Sequence, residues 1–257
     1  MSVAPPEEVV SGSPAPLLCS LVVHDWASVT AAGMGAARTL AATINPDSLS
    51  AKVLKQVDDQ VVVALQVFHA INNNGANNLI DSDHWGLVAA SRSVGRRRVH
   101  DSVAKYRVNG AWTTSPNIIP HCSLHSLPGL LSQALRLHGP NLGAGGMAGR
   151  EGEAISAALS LLHGERLPGV WVVLTGWEHE TLETDSGRCQ AAVLGLVRAR
   201  PGLPCLSFLP GRSGRSLNTF TLESLIDSIR HGSESIWNLG GATATLGNFT
   251  TSREAAA

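Results

Sequence analysis

The chain has 257 residues, of which 44% are hydrophobic and 15% charged, so it can bury a substantial core and is not a disordered protein. The formal net charge of −1 excludes a global attraction to nucleic acid or to an anionic membrane, so a charged partner needs a local patch. Glu7 and Glu8 stand where a secretory signal carries basic residues, and no apolar run approaches the roughly 20 residues of a membrane span. A cytoplasmic protein is therefore expected.

The predicted elements begin after residues 1–16, a Pro- and Ser-rich segment that is expected to form a flexible N-terminal arm. The apolar run at residues 17–23 predicts a strand that is covered on both faces. Residues 58–71 carry apolar side chains at helical spacing and predict a core helix, which ends in a turn at 72–75. Residues 85–90 predict a second buried strand.

The middle of the chain predicts an irregular excursion, two helices and a strand. Residues 96–120 are polar and contain two prolines, so no regular element is expected there. Residues 126–137 predict a helix that tolerates a proline in its first turn. Residues 154–162 combine helical spacing with small side chains on nearly every side, which predicts a helix buried deep between layers. The apolar run at 170–174 predicts another strand.

The C-terminal part, residues 186–257, gives weaker signals. Thr221 can cap a short helix that ends before Gly232, and its apolar face is Leu222, Leu225, Ile226 and Ile229. Residues 236–239 predict a last strand, and residues 250–257 predict a frayed tail. Because strands alternate with helical segments, we expect one α/β domain over residues 17–249.

The four cysteines, at positions 19, 122, 189 and 205, form no CxxC pair and are expected to be reduced thiols. Cys122 lies beside His121 and near His125, which leaves two kinds of interpretation. One is a Cys/His nucleophile or a metal cluster, and the other is ordinary packing. Packing is favoured because no carboxylate is close in sequence to orient the imidazole.

Four stretches carry a further pattern, and two of them precede residue 100. They are VHDWASVTAAG at residues 23–33 and GLVAASRSVG at 86–95. The third is NIIP at 117–120 together with LRLHGPNL at 135–142, and the fourth is VWVVLTGWE at 170–178. In this order they resemble the β-ketoacyl synthase family. The resemblance implies a thiolase-like α/β fold, equivalent to the N-terminal half of the αβαβα ketosynthase architecture.

The resemblance also implies that the catalytic cysteine is missing. Alignment without a gap from GPNL at residues 139–142 puts the family's cysteine at Ala148, at the start of a helix in a middle layer. In the family the helix N-terminus lowers the pKa of this thiol, whereas alanine cannot attack a thioester. The family's two catalytic histidines belong to a C-terminal half that this chain is expected to lack. A non-catalytic protein without cofactor or metal is implied.

Half the family's length and the missing catalytic cysteine make the chain resemble chain-length-factor-type subunits of type II polyketide and aryl-polyene systems. The resemblance implies a full-length β-ketoacyl-ACP synthase as heterodimer partner, an acyl carrier protein as a further partner, and no nucleic acid. Glycines at 143, 145 and 146 are expected to let the partner's backbone approach closely. The residues expected at the interface and the acyl pocket are Asn117, Ile118, Ile119, His121, Asn141, Leu142, Gly143, Ala144, Gly145, Gly146 and Met147.

Two other functions stay open at this point. One is a free-standing acyl-transfer or thioester-hydrolysing enzyme that uses Cys122 or a serine, and the other is a homodimeric scaffold that binds acyl chains or carrier protein. The densest basic run is a candidate patch for the acidic surface of an acyl carrier protein, with a solvated loop as the alternative. It consists of Arg92, Arg96, Arg97 and Arg98.

Overall fold

The computed structural model describes residues 16–44, 49–74, 82–114, 116, 118–165, 167–178, 187–210, 218–239 and 242–247. The predicted N-terminal arm, apart from its last residue, and the predicted tail lie outside these ranges. None of the helices in the described ranges is long and apolar enough to cross a membrane.

The described strands form a single mixed sheet in the order β3-β2-β4-β5-β1-β6-β9-β8-β7. β2 is parallel to both β3 and β4, whereas β5 is antiparallel to both β4 and β1. The bounds are Leu17–Thr30 (β1), Gly86–Ser91 (β2), Asn141–Ala144 (β3), Val170–Glu178 (β4), Arg188–Arg198 (β5), Cys205–Pro210 (β6), Asn218–Thr219 (β7), Ser235–Asn238 (β8) and Ala242–Leu246 (β9).

Helices cover both faces of this sheet and give two hydrophobic cores. The helices are Met34–Ile44 (α1), Ala51–Gln56 (α2), Asp59–Asn73 (α3), Arg96–Asn109 (α4), Ile118–Cys122 (α5), Ser126–Leu135 (α6), Gly152–Gly164 (α7) and Leu222–His231 (α8). In β4, Trp171 and Val173 pack with α3 and α6, whereas Val172 and Leu174 pack with α7 and α8. Successive strand residues point to opposite faces, so a continuous apolar run such as β4 fits the centre of an α/β/α sandwich.

The predicted core helix is confirmed as α3. Asp58 caps its first turn by accepting a hydrogen bond of 2.9 Å from the backbone N–H of Gln60. Nearly all of its apolar side chains are buried against the sheet, as the helical spacing predicted. β2, α6 and β4 also lie where the sequence predicted them, with ends that shift by a few residues.

The first strand differs from its prediction in length and burial. β1 runs on to Thr30 because it keeps pairing with β5 to that point. Its first two residues, Leu17 and Leu18, are exposed, so the predicted covering of both faces is wrong there. Both extend past the end of β5 and pair only with β6.

The prediction of an irregular excursion at residues 96–120 is wrong, since the segment contains α4 and α5. α4 begins after Gly95, whose φ of +70° reverses the chain at the end of β2. It ends at Gly110, whose φ is +78°. The prolines at 116 and 120 lie beyond this helix, so they do not interrupt it.

The predicted deep burial of the helix at residues 154–162 is also wrong. α7 buries Ala154, Ala158 and Leu162 against the sheet, but Ser160 and His163 on its far side are exposed. The small side chains let the helix lie close to the sheet on one face, and the serines bond back to the carbonyls of the preceding turn. α7 therefore forms an outer layer of this chain.

The C-terminal predictions are confirmed for the helix and partly for the strand. Thr221 and Ser224 form a reciprocal capping box at the start of α8, and Gly232, with φ of +60°, follows its end. The predicted last strand is β8, displaced by one residue from 236–239. It is not the last, because β9 follows it.

Candidate partner interface

Strand β3 lies at one end of the sheet. It pairs with β2 from Asn141 opposite Leu87 to Ala144 opposite Ala90, and its other side pairs with no strand among the described residues. Leu142 is 37% exposed, and Met147 just beyond the strand is 71% exposed. A sheet edge that carries exposed apolar side chains is a template for pairing with another chain.

The glycines next to this edge serve contacts within the chain. A β-carbon on Gly143 would lie closer than 3.0 Å to the carbonyl oxygen of Leu124, which connects α5 to α6. Gly146 also faces the Leu124 side chain and has a φ of +109°, and Gly145 has a φ of +73°. The expectation that these glycines admit a partner's backbone is therefore corrected at Gly143, whose free face is already occupied by Leu124.

Ala148 lies in an exposed turn and not on a helix. α7 begins four positions later, at Gly152, because Gly149 has a φ of +78° that a right-handed helix cannot accommodate. The carbonyl of Met147 accepts a hydrogen bond of 3.2 Å from the backbone N–H of Arg150 and closes this turn. The expected position of Ala148 at a helix start is therefore wrong.

A buried ion cluster lies next to this turn and was not predicted. Arg92 follows β2, and its guanidinium donates to Glu151 from Nε at 3.1 Å and to both carboxylate oxygens of Glu223 at 2.7 and 2.9 Å. The side chains of Arg92 and Glu151 are only 15% and 2% exposed. Hydrogen bonds to Glu223 are the main cause that raises the pKa of Arg92, and the same bonds lower the pKa of Glu223.

A second set of buried hydrogen bonds holds the turn that carries Arg92. The Gln60 side chain donates to the carbonyl of Arg92 at 2.9 Å and accepts from the hydroxyl of Thr175 at 2.6 Å. Asp58 accepts the backbone N–H of Gly95 at 2.8 Å. Burial is the main cause that raises the pKa of Asp58, and these backbone hydrogen bonds oppose it. The turn after β2 is thus fixed from α3 and β4, and the backbone N–H of Ser93 in turn donates to the Gly146 carbonyl at 3.2 Å.

Residues 96–113, here called the α4 segment, comprise α4 and a 3₁₀ turn at Ala111–Thr113. Among its described side chains, all but Arg98 and Ser102 are exposed. Val99, Val103 and Tyr106 share one face of α4 at helical spacing and are exposed, and Trp112 is 100% exposed. The helix turns its polar side inwards instead: Arg98 donates to the carbonyls of Lys55 and Gln56 at the end of α2.

The architecture is similar to those of solved protein structures. The sequence matches no family model and no curated protein. A chain of the complex of the ketosynthase ApeO with its chain length factor ApeC from Xenorhabdus doucetiae is similar over 92% of this chain and 98% of that chain, with a TM-score of 0.55 and 12% identity. The chain has the thiolase-like ketosynthase fold.

Two further complexes are similar to this chain. One is AntDE:AntF, a type II PKS acyl-carrier protein with its ketosynthase, with a TM-score of 0.52, 11% identity, and coverage of 84% of this chain and 73% of that chain. The other is the ishigamide ketosynthase/chain length factor, with a TM-score of 0.50, 16% identity, and coverage of 77% and 66%. At these identities the likeness concerns the fold alone.

Within the ketosynthase fold, the expected interface residues fall into two groups. The residues expected at 141–147 lie on β3 and the turn after it. Ile118 and His121 lie elsewhere, on α5. Asn117 and the side chain of Ile119 lie outside the described residues. Ile118 and His121 line a shallow pocket of about 280 Å³ whose other lining residues are Gln56, Arg98, Asp101, Ser102 and Lys105.

The Cys122 environment does not activate a thiol. Cys122 is partly buried against Gly95, and burial first, then the charge of Asp58, raises its pKa, which Arg98 only partly opposes. Among the described residues no group of three or more His, Cys, Asp or Glu side chains is arranged to hold a metal ion. The packing interpretation of this segment therefore fits the geometry.

The predicted basic patch loses one member. Arg92 points into the ion cluster, where two carboxylates neutralise it, so its inclusion in a surface patch is wrong. Arg98 is partly buried and engages backbone carbonyls. Arg96 is exposed, and the Arg97 side chain lies outside the described part of the structure. The basic side chains that do face solvent continue along the α4 segment, at Lys105 and Arg107.

Proposed function

We propose that the chain is a non-catalytic, chain-length-factor-like subunit that pairs with an active β-ketoacyl-ACP synthase and helps to shape its acyl pocket. The observation that carries this proposal is the open edge of β3, with exposed Leu142 and Met147, immediately before Ala148. In the β-ketoacyl synthase family the strand before the nucleophile pairs across the dimer. A strand with one edge open among the described residues, followed by alanine instead of cysteine, suits a subunit whose partner performs the chemistry.

The state of the cysteines supports a non-catalytic role. Cys189 is buried, and burial raises the pKa of Cys19 to about 12. The pKa of Cys122 is also raised. Since the thiolate is the nucleophile, neither Cys19 nor Cys122 is prepared to attack a thioester at neutral pH, and the burial of Cys189 keeps substrate away from it. A free-standing enzyme that uses Cys122 is correspondingly disfavoured.

The α4 segment supports pairing with another protein. Its apolar stripe and Trp112 are exposed, and such clusters mark interaction sites. We include the acyl carrier protein among the partners, reached through the complex. We place the pair in the cytoplasm, in polyketide, aryl-polyene or fatty-acid-like synthesis.

Co-expression with a candidate full-length synthase tests the proposal. We expect a heterodimer on size-exclusion chromatography, condensing activity in the pair, and none in the isolated chain with acyl and malonyl carrier-protein substrates. Turnover by the isolated chain would contradict the non-catalytic role. A stable homodimer that does not bind the co-expressed synthase would favour the alternative of a homodimeric scaffold.

A further inference from the structure

The charge of this protein is unevenly distributed along the chain. The α4 segment contains five Lys or Arg residues and one Asp, a net charge of +4, although the whole chain carries −1. The rest of the chain therefore carries −5. Arg96, Lys105 and Arg107 are exposed and put positive charge on the surface around the apolar stripe, whereas Arg98 is half-buried at the end of α2.

We propose that the α4 segment is the docking element by which this chain selects an acidic surface of its partner synthase over a second copy of itself. This inference rests on the proposed function. It adds the chemistry of the contact: a partner face that carries Asp or Glu around an apolar slot for Trp112 and Tyr106.

The exposed apolar stripe of α4 is a second feature that suits a docking element. Val99, Val103 and Tyr106 point to solvent, whereas Arg98 turns towards the end of α2. A helix whose apolar stripe faces water gains little from its own chain, so covering that stripe stabilises both the helix and the contact. Trp and Tyr are among the residues that contribute most to binding energy at interfaces.

The positive charge of the α4 segment favours an acidic partner surface over a second copy of this chain. In a two-fold symmetric homodimer the same patch meets itself, so two α4 segments at the axis would bring +4 against +4. Like charges brought together at an interface oppose association, whereas opposite charges steer the partners together. An acidic partner surface with an apolar slot covers the stripe and also pairs with the basic residues around it.

Association kinetics test this inference. We expect the association rate with the synthase to fall on the order of tenfold between ionic strengths of about 0.02 M and about 0.5 M. The double variant Lys105→Gln/Arg107→Gln should associate more slowly at low salt and show a weaker salt dependence. Trp112→Ala should instead raise the dissociation rate on the order of tenfold.

The matched control is Arg200→Gln, which removes an exposed positive charge outside the α4 segment. It should leave both rates unchanged. The inference is overturned if the heterodimer forms but its association and dissociation rates do not change with salt, in the double variant or in Trp112→Ala. The proposed function would then still stand. If the chain instead forms a homodimer that Trp112→Ala dissociates, the α4 segment does not select the synthase over a second copy. The absence of any complex with the synthase would overturn both proposals.

Discussion

Removal of the Arg92 guanidinium should destabilise the fold strongly and in a pH-dependent way. Methionine keeps an unbranched stem that can pack beside Gly176, where the Arg92 stem now lies, so Arg92→Met removes mainly the charge. It leaves Glu151, which is 2% exposed, without its cation. Removing one partner of a buried pair costs about 3–5 kcal/mol, and we expect the lower end, because Glu223 is 41% exposed and can turn to water.

Thermal unfolding at two pH values measures this effect. A loss of about 3 kcal/mol lowers the Tm by roughly 6–12 °C in a chain of this size. The deficit relative to wild type should be smaller below pH 4.5 than at pH 7, because a stabilisation that only the wild type has is lost at acidic pH.

This pH dependence comes from the Arg92–Glu223 contact of the wild type. Arg92 lowers the pKa of Glu223 in the folded state, so this stabilisation is present above the ordinary value of 4.5 and is lost as the pH falls through the lowered value. Arg150→Met is the control, since the Arg150–Glu153 pair is exposed and contributes at most about 1 kcal/mol. A deficit below about 1 kcal/mol for Arg92→Met, or one equal at both pH values, would refute the reasoning.

Three further outcomes are expected. Gly143→Ala should cost about 1–3 kcal/mol in urea unfolding, because its β-carbon would meet the backbone of Leu124, and a neutral result would contradict that contact. Ala144→Asp should dissociate the heterodimer on size-exclusion chromatography, because it puts a charge next to the β3 edge, and co-elution at the wild-type position would refute this placement. Arg97→Ala should leave the heterodimer intact, since loss of a single charge alters association rates more than the stability of a complex with an apolar core.

The sequence predicted those elements whose burial follows a regular period. α3 and β4 were predicted because helical spacing or a continuous apolar run specifies one buried environment along the whole element. β5 was missed although residues 191–197 form such a run, because no recognised motif framed it. The deep burial predicted for α7 failed because small side chains are compatible with both an outer and an inner layer.

The α4 segment was mispredicted for a physical reason. Its polar composition indicated a loop, and its stripe of Val99, Val103 and Tyr106 is short and turned outwards. Within this chain nothing among the described residues covers that stripe, so the usual link between apolar spacing and burial does not hold. The spacing itself, read without the assumption of burial, was the signal that could have found the helix.

The ion cluster could not be predicted from local pattern. Arg92 meets Glu151 and Glu223 across separations of 59 and 131 residues, and each of the three has an ordinary local context. Gln60 offered a weak signal, because it is a polar residue inside an otherwise apolar helical stretch and is fully buried. A buried amide of this kind needs partners, and here they come from β4 and the turn after β2.

The geometry of the Ala148 turn leads to a last prediction. Ala148→Cys should restore neither activity nor a reactive thiol, even though it restores the residue type that the family uses. The helix dipole acts within about one turn of the helix end, whereas Ala148 lies in an exposed turn four positions before Gly152. Glu151 and Glu153 at that helix start are paired with Arg92 and Arg150, so they leave little net charge to shift the thiol in either direction. We therefore expect the new thiol to titrate near the ordinary value of about 8.5 in alkylation rates measured against pH, with the wild-type chain as background. A value at or below about 7, or condensing activity in the isolated variant, would show that the turn still activates a nucleophile.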